Sequence, residues 1–102
     1  MNHMAVQGAT KERTRTKIKE PTQYNVIMHN DDFTTMEFVV EILMDIFHKD
    51  IVEAERLMMF VHQKGRAVVG KYPFDIAATK VEESMARAKA QGFPFRVTME
   101  EC

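Results

Sequence analysis

The run His29-Asn30-Asp31-Asp32-Phe33-Thr34-Thr35-Met36-Glu37 concentrates the chemistry of this sequence, with an amide and two carboxylates at consecutive positions. It joins a short apolar stretch to an amphipathic one. Acceptor oxygens gathered at such a junction can hold a cation, and an ammonium with three donors suits them. Met58, Val61 and His62 form a second group at i, i+3 and i+4, so one helix face carries all three. If both groups look towards the same side of a sheet, Asn30, Asp31 and His62 become a polar rim. Met36, Val39, Met58 and Val61 then form an apolar hollow beside it. A ligand with a charged head and an apolar side chain fits that pairing. A polypeptide N-terminus beginning with Leu, Phe, Tyr or Trp is such a ligand, since its amine has a pKa of roughly 7.7–8.0 and is mostly protonated.

Each of these residues also has a plainer reading. Asn-Asp-Asp before a helix can be only a turn and a cap. His62 near a helix end can be a cation facing the negative end of the dipole, and the Met-rich stripes can be core. His29, Asp31, Asp32 and His62 could together hold a metal in a small hydrolase. No HExxH or paired-Cys spacing supports that metal, and there is no glycine-rich phosphate loop or GxSxG. Cys102, the only cysteine, stands at the last position on an end expected to fray and is a poor nucleophile. Nothing reads as an enzyme, and no cofactor is implied.

The elements that must position these residues follow from periodicity. Residues 24–29 alternate as a strand, with Tyr24, Val26 and Met28 on one side and Asn25, Ile27 and His29 on the other. Thr34 with Glu37 forms a capping box for a first helix running to about Lys49, whose stripe is Met36, Val39, Val40, Leu43, Ile46 and Phe47. Asp50 with Glu53 opens a second helix over residues 51–64, with Ile51, Ala54, Leu57, Met58 and Val61 inward and Gly65 just past its end. Ala67-Val68-Val69 makes a short strand stopped by Gly70. Pro73 opens a third helix, with Asp75 in its first turn and Ala77, Val81, Ser84, Met85 and Ala88 as its stripe. Gly92 and Pro94 end it, and Phe95, Val97 and Met99 alternate as a last strand. The order β-α-α-β-α-β predicts an α+β fold: a small, mostly antiparallel three-stranded sheet with three helices packed on one face.

Composition sets the limits. The chain has 102 residues, 45% of them hydrophobic, which is enough for one domain with a core. Fourteen Lys and Arg balance 15 Asp and Glu, so nucleic acid is not expected as a ligand. No apolar run is long enough to span a membrane, and the single cysteine fits a reducing cytoplasm. Residues 1–22 are polar, with Lys11, Arg13, Arg15, Lys17 and Lys19 against Glu12 and Glu20, and read as a disordered extension before a domain at 23–102.

Tyr24-Asn25-Val26-Ile27-Met28-His29-Asn30-Asp31-Asp32, Thr34, Met36-Glu37-Phe38-Val39, Leu57-Met58, Val61-His62, Gly65, Gly70, Ala77 and Thr79-Lys80-Val81 resemble the ClpS adaptor family over about residues 22–101. The resemblance implies an adaptor that binds N-degrons, proteins whose first residue is large and hydrophobic. It would deliver them to the AAA+ unfoldase ClpA, which feeds the protease ClpP in the bacterial cytoplasm. Asn30, Asp31 and His62 would then hold the substrate α-amine. Asp32, Thr34, Met36, Val39, Met58, Val61 and Phe95 would shape the side-chain pocket, with Met36 excluding β-branched first residues. Asp75 and Lys80 would meet the N-domain of ClpA, and the chain would act as a monomer. Two positions depart from the family pattern: Thr35 stands where Pro is frequent, and Phe95 stands where the pocket wall is usually aliphatic, which predicts a narrower pocket. A general protein-interaction module without first-residue preference is the alternative.

Overall fold

The computed structural model describes residues 20–102, and most of the extension expected at 1–22 lies outside them. Strand β1 (Gln23–His29) is followed by helices α1 (Met36–Asp45) and α2 (Ile51–Lys64), strand β2 (Arg66–Pro73), helix α3 (Phe74–Ala90) and strand β3 (Arg96–Glu101). This is the expected order. The three strands form one antiparallel sheet with β1 in the centre, in the order β2-β1-β3. Val26 and Met28 of β1, Ala67 and Val69 of β2 and Val97 of β3 enter one core with Phe38, Ile42, Leu43, Ala54, Leu57, Val61, Ala77 and Ala88 from the three helices. Ile27, on the opposite alternation, is also almost fully buried but lies outside that cluster.

Several boundaries differ from the sequence expectation, each for a local reason. The N-cap of α1 is Thr35, not Thr34: its hydroxyl accepts from the Phe38 amide at 3.1 Å, while the Thr34 hydroxyl donates to Asp31. Helix α1 stops at Asp45 rather than near Lys49, and His48 takes a left-handed φ of 57° that breaks the helical path. Ile46 and Phe47 stay buried past that end, which is why the apolar stripe reads through it. The Lys80 ammonium donates to the Ile46 carbonyl at 2.6 Å, capping the end of α1 from a distant element. Its charge also lies over the Phe47 and Tyr72 rings, 5.7 and 5.2 Å from their centres.

Gly70 does not stop β2. The strand continues to Pro73, and the register with β1 shifts between Val26 and Ile27. A Cβ at Gly70 would run into the Tyr72 ring, so glycine admits that ring to its place under Lys80. Asp50 caps α2 by accepting from the Glu53 amide at 2.8 Å, and Gly65 closes it at φ 93°, both as expected. Ile51 and Met85, expected inward, are instead 48% and 41% exposed. The backbone at Cys102 is not frayed, since its amide donates to the Gln23 carbonyl at 3.0 Å.

Candidate functional site

The pairing of β1 with β2 reaches His29 and Arg66, and one further hydrogen bond aligns the two groups of chemistry-bearing residues. The Asn30 amide, just past the end of β1, donates to the Gly65 carbonyl at 2.8 Å. Gly65 ends α2, and His62 lies in the last turn of that helix. The strand end and the helix end are therefore held side by side. Between them lies a hollow of about 210 Å³. That is smaller than the roughly 300–1,000 Å³ of sites for drug-sized molecules, and suits one side chain and its head group.

Asn30, Asp31, Asp32, Thr34, Met36, Val39, Met58, Val61, His62 and Phe95 all line this hollow. Sequence reasoning named each of them, and the fold brings them together from the turn after β1, from α1 and α2, and from the residue just before β3. Val39, Val61 and Phe95 are buried and form the floor and walls; Met58 is half-buried; Met36, at 40% exposure, stands at the mouth. Phe95 is fixed in place. It meets Phe38 edge-on at 6.0 Å between ring centres, and Phe38 in turn meets Phe93 at 5.0 Å. Such a wall cannot swing aside to enlarge the hollow without unpacking the core.

Asp31 builds the turn that forms the rim. One carboxylate oxygen accepts from the Phe33 and Thr34 amides at 2.8 and 2.7 Å, and the other accepts from the Thr34 hydroxyl at 2.7 Å. Burial raises its pKa, but the bonds from Thr34 and Phe33 outweigh that and hold the carboxyl below its usual range. A carboxylate has about four acceptor sites. Three are occupied, so the charge and one acceptor direction remain for a ligand. The plainer turn reading and the binding reading of this residue are thus compatible.

His29 also lines the hollow, although strand alternation had set it on the face away from the core. Its Nε2 lies 2.7 Å from the Thr98 hydroxyl and its Nδ1 3.3 Å from the Arg96 guanidinium. Arg96 can only donate, so Nδ1 accepts and Nε2–H donates to Thr98. Burial first, then the nearby Arg96 and Arg66, lower its pKa and favour the neutral ring. Its place as the last residue of β1, directly before Asn30, was the signal that could have found it.

The hollow collects charge of both signs, with the Arg66 and Arg96 guanidiniums close to His29 on one side. The carbonyl end of α2 brings a negative partial charge, and Asp31 and Asp32 add carboxylates. The amide end of α1 opposes this with a positive partial charge, which the Asp31 turn offsets. Among the described residues no three of His, Cys, Asp and Glu lie close enough together to hold a metal.

Asp75 and Lys80 lie apart from the hollow. They line a shallow groove with Ile46, His48, Ile76 and Thr79. Asp75 is exposed, but Lys80 is engaged by the Ile46 carbonyl and two rings, so it carries structure as well as surface charge. Among the described residues, no helix is long and apolar enough to cross a membrane.

Comparison with known proteins gives one consistent result. Residues 19–98 match the family model described as ATP-dependent Clp protease adaptor protein ClpS. A protein from Syntrophus aciditrophicus named ATP-dependent Clp protease adapter protein ClpS is 49% identical over 85 residues, covering 83% of this chain and 79% of its own. A protein of the same name from Acetivibrio thermocellus is 44% identical over 97 residues, covering 95% of this chain and 98% of its own. The structure of Agrobacterium tumefaciens ClpS2 bound to L-phenylalaninamide superposes with a TM-score of 0.79 at 38% identity, covering 81% of this chain and all of that one.

Proposed function

The chain belongs to the ClpS family of ATP-dependent Clp protease adaptors, an adaptor family and not an enzyme family, and from that premise we propose that its hollow captures proteins by a large hydrophobic N-terminal residue. The observation that carries this reading is a small hollow with acceptors on its rim and a fixed apolar wall. The ligand of the Agrobacterium relative has the matching form: a free amine, a benzyl side chain and an amide in place of the next peptide bond. Here the Asn30 carbonyl oxygen, a neutral His62 ring nitrogen and the free acceptor direction of Asp31 receive the three ammonium protons. Asp32, Thr34, Met36, Val39, Met58, Val61 and Phe95 enclose the side chain.

The energetics require both halves. Burying a Leu or Phe side chain is worth roughly 1.5–3 kcal/mol. Each charge-assisted hydrogen bond adds roughly 1.5–3 kcal/mol before the cost of association. Together they reach micromolar affinity, near −8 kcal/mol, and neither alone does. Captured proteins then pass to the ClpA unfoldase and the ClpP protease in the cytoplasm. The chain acts as a monomeric domain over residues 23–102, with the α3 groove around Asp75 as the contact for the ClpA N-domain.

The test is a fluorescence anisotropy series on peptides that differ only at the first residue. Leu, Phe, Tyr and Trp bind and Ala, Asp and Val do not, if the reading is right. Equal affinities across the series would replace it with a general interaction module.

A further inference from the structure

His29 lines the hollow but has no part in the capture just described. Both of its ring nitrogens are nevertheless engaged by β3. Nε2 meets the Thr98 hydroxyl at 2.7 Å, and Nδ1 meets the Arg96 guanidinium at 3.3 Å. A guanidinium can only donate, so the second bond exists only while Nδ1 keeps its lone pair and the ring is neutral. The ring thereby ties the start of β3, directly after the Phe95 wall, to the end of β1, directly before Asn30.

Charge surrounds this ring unevenly. Arg66 from β2 and Arg96 from β3 face it, against the Glu100 carboxylate of β3, which is shared with Arg66 at 3.7 Å. Asp31, Asp32 and His62 lie on the same hollow. Burial, then the two guanidiniums, hold the ring's pKa below its ordinary value. A proton on Nδ1 would break the Arg96 bond and add a cation one residue from Asn30. Successive Cα atoms are about 3.8 Å apart, so an ammonium held at Asn30 would feel that charge well inside the screening length of about 10 Å at 0.1 M salt.

We propose that His29 is a positioning residue for ammonium capture: its neutral ring fixes Arg96 and the start of β3 beside the rim, and a proton on that ring loosens the captured N-terminus. The proposal rests on the N-terminal capture described above and adds a condition to it. The hollow grips an ammonium best while the histidine beside its rim is uncharged.

The experiment is isothermal titration of L-phenylalaninamide on the full native chain and on His29→Gln, His29→Leu and His29→Lys at low salt, with a thermal melt of each. The pH runs from about 7 to about one unit below the ring's pKa, which the His29 Cε1 proton shift reports in NMR. Glutamine can donate to Thr98 and accept from Arg96 but cannot become charged. His29→Gln should match the native chain at neutral pH, and the native chain should become roughly two- to fivefold weaker than it in acid, the scale of interactions between exposed charges. Protonation of the ligand amine and of His62 is common to both proteins and cancels in that ratio. His29→Lys should be weaker by the same factor already at neutral pH, and raised salt should restore it. His29→Leu, neutral but unable to hold Thr98 or Arg96, should be weaker than His29→Gln by a factor that does not change with pH. By reciprocity, saturating phenylalaninamide should lower the ring's pKa by about 0.3–0.7, the logarithm of the two- to fivefold factor. A native-to-Gln ratio that stays flat with pH, or a His29→Lys chain that binds like the native one, would overturn the proposal. Melts that fall while every affinity stays unchanged would leave His29 a purely structural residue and overturn it equally. Failure of phenylalaninamide to bind the native chain at neutral pH would overturn the capture reading beneath it, and the proposal with it.

Discussion

Replacing Asp31 separates the frame of the site from its charge. In Asp31→Ala the amides of Phe33 and Thr34 and the Thr34 hydroxyl all lose their acceptor. A single capping side chain is worth about 0.5–2 kcal/mol, and bonds to a charged group lie at the upper end of the general range. Because the carboxylate is only partly buried, solvent takes up some of the loss, and the expected destabilisation is about 2 kcal/mol. For a domain of this size that lowers Tm by about 10 °C. Asp31→Asn keeps an oxygen for the two amides and should lose less than half as much, while its affinity for a Phe-initiated peptide still falls because the charge is gone. Asp31 is held below its ordinary pKa in the fold. Its stabilisation is therefore complete above about pH 3.9, the unfolded value, and is lost as pH falls through the lower folded one. The gap in unfolding free energy between the native chain and Asp31→Ala should close over that acid range. Urea melts by circular dichroism from neutral pH downward measure this. An Asp31→Ala melt that matches the native chain at neutral pH would refute the claim that this carboxylate holds the turn.

Three further outcomes follow from the geometry. Met36→Ala, at the mouth of the hollow, should raise the affinity of Val- and Ile-initiated peptides relative to Leu, with a stability change within about 1 kcal/mol; an unchanged ratio in anisotropy would deny Met36 its gating role. Lys80→Met should cost about 1–2 kcal/mol in a thermal melt, since it removes the Ile46 cap and the charge over two rings; an unchanged melt would mean the residue serves only at the surface. Gly65→Ala meets no steric contact but forces alanine into a left-handed conformation at about 1–2 kcal/mol. It should also weaken peptide binding, because the Gly65 carbonyl anchors the Asn30 amide; calorimetry with a Phe-peptide would detect the loss.

Much of the fold is written locally. Asp50 with Glu53 and Gly65 mark both ends of α2 in sequence, and the spacing of Met58, Val61 and His62 places them on one face of it. What escaped depends on partners distant in the chain. Thr34 and Thr35 are equal as caps until Asp31 claims the first hydroxyl. The early end of α1 is secured by Lys80, 34 residues later, and nothing near Asp45 announces it. Gly70 reads as a strand stop because glycine often is one, yet its role is to admit the Tyr72 ring, a contact visible only in three dimensions. Met85 obeys the helical period but faces an open groove, because periodicity identifies a stripe and not what covers it. Seven of the eleven residues lining the hollow were legible because they come from two short runs, 30–39 and 58–62; Asp32, Thr34 and Phe95 came through the family resemblance, and His29 was missed.

The central claim is that an ammonium and an apolar side chain must be bound together. Isothermal titration of a Phe-initiated peptide, with its amine free or acetylated, tests it most directly. Micromolar or tighter binding of the free peptide, and a loss of at least about a hundredfold on acetylation, is the predicted result. Equal affinity for the two peptides would contradict it.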